Sequence, residues 1–336
     1  MMMLDDKLAE LAPRIEVGLH TYLASFDFGL SAELGRMLAY HMGWDGDDGV
    51  RGKRLRPALT LLCAGACGGD HAAAMPAALG IEFLHNFTLI HDDIEDRSDM
   101  RHGRPTLWTR WGLAQAVNAG DALFCIAQLA VLGLGETCSE AVAARAAREL
   151  NQVCLQLTQG QYLDIAFEDA DAVALETYLA MIAGKTAALI SFCARMGGLT
   201  AGADEDTIAG LGDYGESLGL AFQIQDDTLG IWVDPAVTGK SAASDLLARK
   251  KSLPILYGLQ ECDEFKALWE TEELSPSLVA EMAGLLVDCG AADYVKDKAA
   301  GFTQRAFDGL DRLFPNKNED AAALAALTEK LLHREV

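Results

Sequence analysis

Acidic side chains gather at two places in this sequence, and each place directly follows an apolar stretch with helical periodicity. The first is residues 92–96 (DDIED) and the second is residues 226–227 (DD). Asp92 and Asp96 are four residues apart, so on a helix they share one face. Carboxylates this close repel one another unless a cation lies between them, and their oxygens suit Mg2+ completed by substrate phosphates. We therefore predict that the two clusters face each other across one cavity with a metal at its mouth. The alternative is a pair of solvated helix ends.

Basic side chains precede Pro57 in an otherwise acidic chain. Arg51, Lys53, Arg54 and Arg56 stand just before an apolar run. Proline fits the first turn of a helix, because its missing N–H would have no partner there. A helix N-terminus binds anions through its backbone N–H groups, and basic side chains strengthen such a site. The pattern predicts a diphosphate site, and the alternative is a plain basic turn ahead of a helix.

The net charge of the chain limits the kinds of molecule that it can bind. The chain of 336 residues has a formal net charge of -23 at pH 7. Sequence-independent nucleic-acid binding and attachment to an anionic membrane surface both need basic patches, so we exclude both as main functions. An anionic substrate is compatible with this charge, provided that metal ions and a local basic cluster meet it.

The elements that must position these side chains have helical patterns throughout. With 51% hydrophobic residues and eight prolines, the chain readily accommodates long helices. The patterns cover about 4–25, 31–43, a helix from Pro76 to the first acidic cluster, 107–134, 138–167, 171–198, 204–233 and 243–260, with a polar connection at 97–105. We find neither sustained period-two alternation nor hairpin turn chemistry. We predict an all-α fold, a single-domain helical bundle over residues 1–336 around a central cavity.

Cysteine usage and apolar runs bear on location. The eight cysteines include no CxxC pair, and we expect Cys63 and Cys67 to be core residues rather than metal ligands. The first residues lack the basic region and long apolar core of a signal peptide. No run of about 18 uninterrupted apolar residues is present, so we expect no membrane span. Together these features predict a cytoplasmic protein with reduced thiols.

Several motifs occur in an order and at distances typical of one family. From about Gly52 to Leu259 the chain resembles the trans-prenyl diphosphate synthases of the polyprenyl synthetase family, which have a helical bundle of the isoprenoid synthase class I type. The matching elements are residues 52–57 (GKRLRP) for GKRxRP, 92–96 for the first DDxxD motif, 101–105 (RHGRP) for RRGRP, 160–164 (GQYLD) for GQxxD, 185–186 for the KT pair, and 222–227 (FQIQDD) for the second aspartate-rich motif. Lys240 and Lys250 fit the lysines that follow that motif, although two solvated surface lysines are the alternative.

The resemblance implies a role for each matching residue. Asp92, Asp96 and Asp226 would bind three Mg2+ ions, with Asp93 contributing less directly and with Asp164 and Asp227 supporting that shell through water. The allylic diphosphate would be held by Arg101, Lys185, Lys240 and Lys250. Isopentenyl diphosphate would be held by Lys53, Arg56 and His85. The oxygens of Thr186 and Gln223 would face the developing allylic cation.

Two positions depart from the family pattern. Gly230 stands where many relatives have Asp, so the second cluster lacks one carboxylate on the face of Asp226. We expect catalysis to persist, because Asp226 can still reach a metal ion. His102 occupies the place of the second Arg in RRGRP, and a neutral imidazole would hold isopentenyl diphosphate less well than a guanidinium.

The residues and the resemblance imply one reaction, the Mg2+-dependent condensation of isopentenyl diphosphate with an allylic diphosphate. The resemblance alone also implies a homodimer. A class I terpene cyclase is one alternative, and the second anion site at Lys53 and Arg56 argues against it. A non-catalytic regulatory subunit of a hetero-oligomer is another, and only Gly230 and His102 support it.

Product length is predicted from the helix that leads into Asp92. We expect geranylgeranyl diphosphate (C20), with farnesyl diphosphate (C15) as the alternative. In relatives, the residues eight, five and four before the first Asp line the product tunnel, and here they are Leu84, Phe87 and Thr88. Phe87 lies about 7.5 Å along the helix from Asp92 and is the expected stop. On an ideal helix it points away from the acidic face, so a core aromatic is the alternative.

Overall fold

The computed structural model describes residues 2–45, 52–232, 243–271 and 273–332, with side chains from Leu4 onward. The helices in chain order are α1 (Met2–Ala24), α2 (Ala32–His41), α3 (Leu55–Ala66), α4 (His71–Glu95), α5 (Leu107–Trp111), α6 (Leu113–Leu132), α7 (Leu134–Thr137), α8 (Glu140–Glu168), α9 (Leu175–Ile182), α10 (Ala188–Thr200), α11 (Glu205–Trp232), α12 (Ser244–Leu247), α13 (Leu253–Glu261), α14 (Asp263–Trp269), α15 (Pro276–Asp288), α16 (Ala291–Leu313) and α17 (Glu319–Leu332). A short 3-10 helix (Gly29–Ser31) precedes α2. The all-α prediction is confirmed.

The chain falls into two compact units. The first comprises Met1–Asn151, Cys193–Ile208 and Lys317–Leu324, and the second comprises Gln152–Phe192, Ala209–Asn316 and Ala325–Val336. A single domain over residues 1–336, with both acidic clusters on one central cavity, stays a prediction.

In the first unit, α4 packs chiefly against α6 and α3. The helix begins where the Asp70 carboxylate accepts a hydrogen bond of 2.9 Å from the backbone N–H of Ala72. The predicted start at Pro76 is therefore wrong, because α4 begins at His71 and Pro76 lies inside it. A proline near the start removes one backbone hydrogen bond, and the aspartate cap fixes the earlier beginning. Buried side chains of α4 anchor the helix that carries the first acidic cluster.

Residues 100–105 form a small antiparallel hairpin, with β1 (Met100–Arg101) paired to β2 (Arg104–Pro105). The predicted polar connection without hairpin chemistry is wrong in this detail. His102 and Gly103 have φ of 51° and 74°, as a two-residue turn with positive φ at both central positions requires. Strands of two residues are too short to show alternation, which is why the pattern missed them. The hairpin fixes where Arg101 leaves the backbone.

Two long predicted helices are divided. Gly112, with φ of 84°, separates α5 from α6 within the predicted helix 107–134. A π-helical turn (Ala183–Ala187) stands between α9 and α10 within the predicted helix 171–198. The second break holds two of the predicted site residues, and π-helical turns are frequent at functional sites.

The second unit has two buried apolar clusters, and α11 contributes to both. Ile224 packs with side chains of α9, α13 and α16. Ile231 packs with side chains of α12, α13, α14 and α15. The second acidic cluster lies between these two anchors, so the packing fixes the part of α11 that carries Asp226.

Three helical stretches, His71–Glu95, Leu113–Thr137 and Leu175–Thr200, are long and apolar enough to cross a membrane by length and composition alone. The share of the apolar window that is buried inside the protein is 61%, 44% and 56% in that order. The expectation of no membrane span therefore stays a prediction.

Candidate active site

Asp92 and Asp96 lie at the C-terminal end of α4. Asp96 is the residue that ends the helix, and its backbone N–H donates to the carbonyl of Asp92 at 2.8 Å. The helical spacing therefore persists through the cluster, and the two carboxylates share one face as predicted. Asp96 is exposed and Asp92 is partly buried.

Asp93 is turned toward the hairpin. Its side chain is buried and accepts a hydrogen bond of 2.8 Å from Nε of Arg101. Burial raises the pKa of Asp93, and the nearby charge of Arg101 only partly offsets this effect. This ion pair joins the end of α4 to the hairpin, so it positions Arg101 beside the first acidic cluster.

The basic residues before and at the start of α3 have different environments, and Arg54 makes buried ion pairs. Arg54 is buried in a left-handed conformation with φ of 48°. It donates to Glu16 at 3.0 Å, to Glu82 at 2.8 Å and to the carbonyl of Met42 at 2.9 Å. Grouping Arg54 with the diphosphate ligands is therefore wrong, because a buried guanidinium needs its carboxylate partners. These ion pairs could not be predicted, because Glu16 and Glu82 are far from Arg54 in the sequence.

Arg56 and His85 are brought together by α3 and α4. Nη1 of Arg56 lies 3.0 Å from Nε2 of His85. Burial, and then the charge of Arg56, lowers the pKa of His85 well below its ordinary value, so the neutral ring accepts from the guanidinium. Nε of Arg56 is buried and has no hydrogen-bond partner among the described residues. A buried donor without an acceptor favours the binding of an anion here.

Two other predicted substrate ligands are exposed, and a third is not among the described residues. Lys53 is exposed just ahead of α3. His102 is exposed at the turn of the hairpin, and burial followed by the charge of Arg101 lowers its pKa. Lys240 lies outside the described residues.

Asp227 is held by three donors. The hydroxyl of Tyr178 donates to Oδ2 at 2.5 Å, the backbone N–H of Leu253 donates to Oδ2 at 3.0 Å, and Nε2 of Gln223 donates to Oδ1 at 3.0 Å. Asp227 is buried, and burial raises its pKa although Lys250 and these donors lower it. With its oxygens engaged in this way, Asp227 is suited to a supporting role beside Asp226.

Lys250 lies among carboxylates. Burial lowers its pKa, but Asp227, Asp164, Asp245 and Asp226 outweigh burial and leave the pKa above its ordinary value. The ammonium is therefore charged at neutral pH. The alternative of a solvated surface lysine is wrong for Lys250, because the side chain sits inside this acidic group.

The π-helical turn presents Lys185 and Thr186. Nζ of Lys185 donates to Oδ2 of Asp164, and the Thr186 hydroxyl donates to Oε1 of Gln223 at 2.8 Å. The turn lies directly against α8 at Gly160, where a β-carbon would collide with the backbone N of Lys185. The glycine of GQxxD thus lets two backbones approach closely. These contacts join the KT pair, Asp164 and Gln223 into one network in the second unit.

The missing carboxylate at Gly230 has a substitute. A β-carbon placed at Gly230 would fall 2.5 Å from Cγ and 2.7 Å from Oδ1 of Asp245. The hydroxyl of Ser244 also lies 3.5 Å from the carbonyl of Gly230. The carboxylate of Asp245 therefore occupies the space that a side chain at position 230 would need.

The predicted product-length residues divide between two faces of α4. Phe87 faces α6, with its ring 5.3 Å from that of Phe124 and 4.7 Å from that of His91. Leu84 is buried, and the hydroxyl of Thr88 donates to the carbonyl of His85 at 2.8 Å. Phe87 therefore belongs to the packing between α4 and α6, which is the geometry that an ideal helix predicts.

Three contributors were not predicted. Tyr178 is buried among apolar side chains of the second unit, and no motif includes it. Asp245 precedes Lys250 by five positions in a polar segment, and only the gap at Gly230 hints at its use. Phe124 lies in an apolar helix whose partner the sequence does not specify.

Comparisons with known proteins agree with these elements. A family model for polyprenyl synthetase matches residues 48–283. Geranylgeranyl diphosphate synthase of Mycobacterium tuberculosis is 42% identical over 276 residues, covering 80% of this chain and 78% of that protein. (2E,6E)-farnesyl diphosphate synthase of the same organism is 39% identical over 266 residues, covering 76% of this chain and 73% of that protein.

Solved structures give the same result. The crystal structure of polyprenyl synthetase from Streptomyces coelicolor A3(2) matches with a TM-score of 0.86 and 33% identity over 98% of this chain and 99% of that one. Fold and sequence together define an all-α prenyltransferase with the isoprenoid synthase fold. The chain belongs to the polyprenyl synthetase family, and within it to the short-chain trans-prenyl diphosphate synthases.

Proposed function

We propose that this chain condenses isopentenyl diphosphate with allylic diphosphates and gives geranylgeranyl diphosphate (C20). The observation that carries the proposal lies on α4. His85 and Asp92 are seven residues apart, so they lie on one face of the helix, about 10.5 Å apart along its axis. The basic site at Arg56 and His85, which can bind one diphosphate, therefore lies on the same face of α4 as the carboxylate that can bind metal for the other. A reaction between two diphosphates requires two such neighbouring sites.

Each diphosphate has its own set of cations in this proposal. Isopentenyl diphosphate is bound by Arg56 and His85, with Lys53 at the edge. The allylic diphosphate is bound by Arg101, Lys185, Lys250 and Lys240. The buried donor on Arg56 supports the first assignment. The charged ammonium of Lys250 supports the second.

The oxygens of Thr186 and Gln223 meet the allylic cation as the C–O bond ionises. The Thr186 hydroxyl donates a hydrogen bond to Oε1 of Gln223 at 2.8 Å, so the lone pairs of the Thr186 oxygen can face the positive carbon. The double bond of isopentenyl diphosphate then attacks, and the released diphosphate accepts the proton that is lost. Apolar surroundings protect the cation from water.

The donor set fits Mg2+. Asp92, Asp96 and Asp226 offer carboxylate oxygens, the ligands that this hard cation prefers. Among the described residues no group of three or more His, Cys, Asp or Glu side chains forms a ready cage. Mg2+ keeps several waters and is completed by substrate phosphates, so no cage is needed. When bound, three such ions would neutralise the allylic diphosphate and make it a leaving group.

Product length rests on the packing between α4 and α6. The rings of Phe87 and Phe124 contact each other about 7.5 Å along α4 from Asp92, on the side of α4 that faces α6. We propose that this aromatic pair is the barrier at which the product stops growing. A chain that grows toward this barrier stops early, which supports a C20 product over long polyprenyl chains. Relatives bear names for both C20 and C15 products, so farnesyl diphosphate is the second candidate.

A homodimer in the cytoplasm completes the proposal. Helix α6 exposes Leu113, Leu129 and Leu132 by 58%, 48% and 49%. Several large apolar side chains exposed on one helix are typical of a protein interface. The eight cysteines are all unpaired, which suits a reducing compartment.

The purified chain, incubated with isopentenyl diphosphate and dimethylallyl, geranyl or farnesyl diphosphate, tests the proposal. We expect C20 product that depends on Mg2+ and disappears with EDTA. Cyclic hydrocarbon from the allylic substrate alone would identify a terpene cyclase. A folded chain that makes no product would identify a regulatory subunit, and products of C30 or longer would overturn the short-chain assignment.

A further inference from the structure

His41, the last residue of α2, has a buried ring nitrogen that the reaction described above does not use. Its Nε2 is buried and has no hydrogen-bond partner among the described residues. The ring also bonds to the backbone of Asn86, the neighbour of His85 on α4. A buried polar atom without a partner is unfavourable, so such an atom calls for a ligand or another explanation.

Bonds on both sides of His41 fix its place. The hydroxyl of Tyr40 donates to the carbonyl of Pro105 at 2.8 Å, and Arg104 donates to the carbonyl of Tyr40 at 3.2 Å. On the other side, Arg54 donates to the carbonyl of Met42 at 2.9 Å. The end of α2 is thus tied to the hairpin and to the start of α3, while the ring itself reaches α4.

The groups around the ring are cationic or basic. Burial lowers the pKa of His41 to about 3, and Arg101, Arg54 and His102 contribute to this in that order. His41 and Arg101 in turn help to lower the pKa of His85, behind burial and Arg56. Arg54 comes from the start of α3, Arg101 and His102 from the hairpin, and His85 from α4; the carboxylates beside them are Glu16, Glu82 and Asp93.

The nearby carboxylates are already engaged. Glu16 and Glu82 bind Arg54, and Asp93 binds Arg101. Three carboxylates thus face three arginines in this cluster, while Nε2 of His41 and Nε of Arg56 are buried and lack partners among the described residues. The oxygens of an anion would accept from Nε of Arg56, and from Nε2 of His41 once that nitrogen is protonated.

We propose that His41 is a further ligand of isopentenyl diphosphate and takes up a proton from solvent as the diphosphate binds. The inference rests on the proposed function, because it places that substrate at Arg56 and His85. The neutral ring accepts a proton at Nε2 and then donates that N–H to a diphosphate oxygen. His41 thus supplies, inside the cluster, the positive charge that the arginine-to-histidine change at His102 removes.

Proton uptake distinguishes this role from simple packing. Isothermal titration with isopentenyl diphosphate alone, at pH 7.5 in two buffers of different ionisation enthalpy, counts the protons bound with the ligand. We expect the parent to take up more protons than His41→Gln, by up to one. Equal counts in the two proteins would overturn the proposal, as would a parent count no greater than protonation of the free diphosphate explains.

Affinity gives the second readout. A charge-assisted hydrogen bond contributes about 1.5–3 kcal/mol, so His41→Gln should raise the dissociation constant and KM for isopentenyl diphosphate about 10- to 100-fold. KM for the allylic substrate should change little, and Arg56→Ala should show the same selectivity. The exposed His20 gives a matched control, and His20→Gln should behave as the parent.

Folding and function are tested apart. His41→Asn serves as a second variant, and thermal melting of each protein shows whether it is folded. If the parent makes no prenyl product with any allylic starter, the proposed function fails by itself. If the parent is active but folded His41 variants keep its KM for isopentenyl diphosphate, or raise both KM values equally, the proposal for His41 fails alone.

Discussion

The carboxylate of Asp245 lies against the α-carbon of Gly230, so close that a β-carbon at position 230 would be 2.5 Å from both Cγ and Oδ2. The carboxylate of Asp245, from the start of α12, therefore occupies space that a side chain at position 230 would need. Asp245 also acts on Lys250 together with Asp226 and Asp227, which places it in the same electrostatic group.

Gly230→Asp, which would restore the family motif, should therefore impair the protein. The new side chain collides with Asp245 and adds a like charge, so we expect a loss of about 1–3 kcal/mol in stability and lower turnover. Urea unfolding and steady-state rates measure both. Gly284→Asp is the matched control, since nothing lies within 4 Å of a β-carbon there. The double variant Gly230→Asp/Asp245→Gly should recover most of the loss, and a single variant that works better than the parent would refute this account.

Asp92→Ala should remove activity while the fold persists. Loss of a metal ligand costs several kcal/mol of transition-state stabilisation, which corresponds to a fall in kcat of about 10^2- to 10^4-fold. The melting temperature should not fall, because removing one of several clustered carboxylates relieves repulsion. Product formation over a Mg2+ series checks the first point, with the exposed Asp297→Ala as control. Near-normal turnover by a folded Asp92→Ala protein would show that the metal assignment is wrong.

Tyr178→Phe should destabilise the protein more at pH 8 than at pH 4.5. Burial already raises the pKa of Asp227, and the Tyr178 hydroxyl opposes this, so its removal raises that pKa further. A carboxyl with a raised folded-state pKa costs stability as pH rises from its unfolded value through its folded value. We expect a loss of about 1.5–3 kcal/mol at pH 8 in EDTA, and less in acid. Tyr162→Phe, at a side chain that is 71% exposed, should show no such pH dependence. If the loss of stability were equal at both pH values, the contribution of Tyr178 would not depend on the ionisation of Asp227, and this explanation would be wrong.

Phe87→Ala should lengthen the product. Removing the ring opens the barrier that it forms with Phe124, so the growing chain gains room for further five-carbon units. Phe124→Ala should act in the same direction, and Phe302→Ala, in the second unit, should not change the distribution. Chromatography of dephosphorylated products measures the lengths. An unchanged distribution in both α4–α6 variants would mean that these rings are core aromatics without a role in chain length.

The sequence predicted the all-α fold because helical periodicity is a local property, and it offered site residues because motif spacing is local too; the roles of those residues stay predictions. Lys185 and Thr186 were found as a pair, but their π-helical turn was not, since it depends on the contact with α8. Arg54 was misassigned because its partners Glu16 and Glu82 are distant in sequence. Tyr178 was missed for the same reason, because its partner Asp227 lies on another helix. His41 was missed because the burial of its ring comes from packing that the sequence does not reveal.

The close approach of α8 to the turn at Lys185 shows that the family's motifs contain two kinds of residue. One kind is required by the packing of the fold, and the other is assigned to metal or substrate binding. Gly160 belongs to GQxxD but serves the scaffold, because any larger residue there would displace the neighbouring backbone. In the proposed function, by contrast, Asp92 binds metal and Lys250 binds the allylic diphosphate. A gene copy that loses catalysis while its product still assembles with active subunits would keep the first kind and change the second. Comparing the two kinds of motif residue separately would thus identify non-catalytic subunits directly from genome sequences.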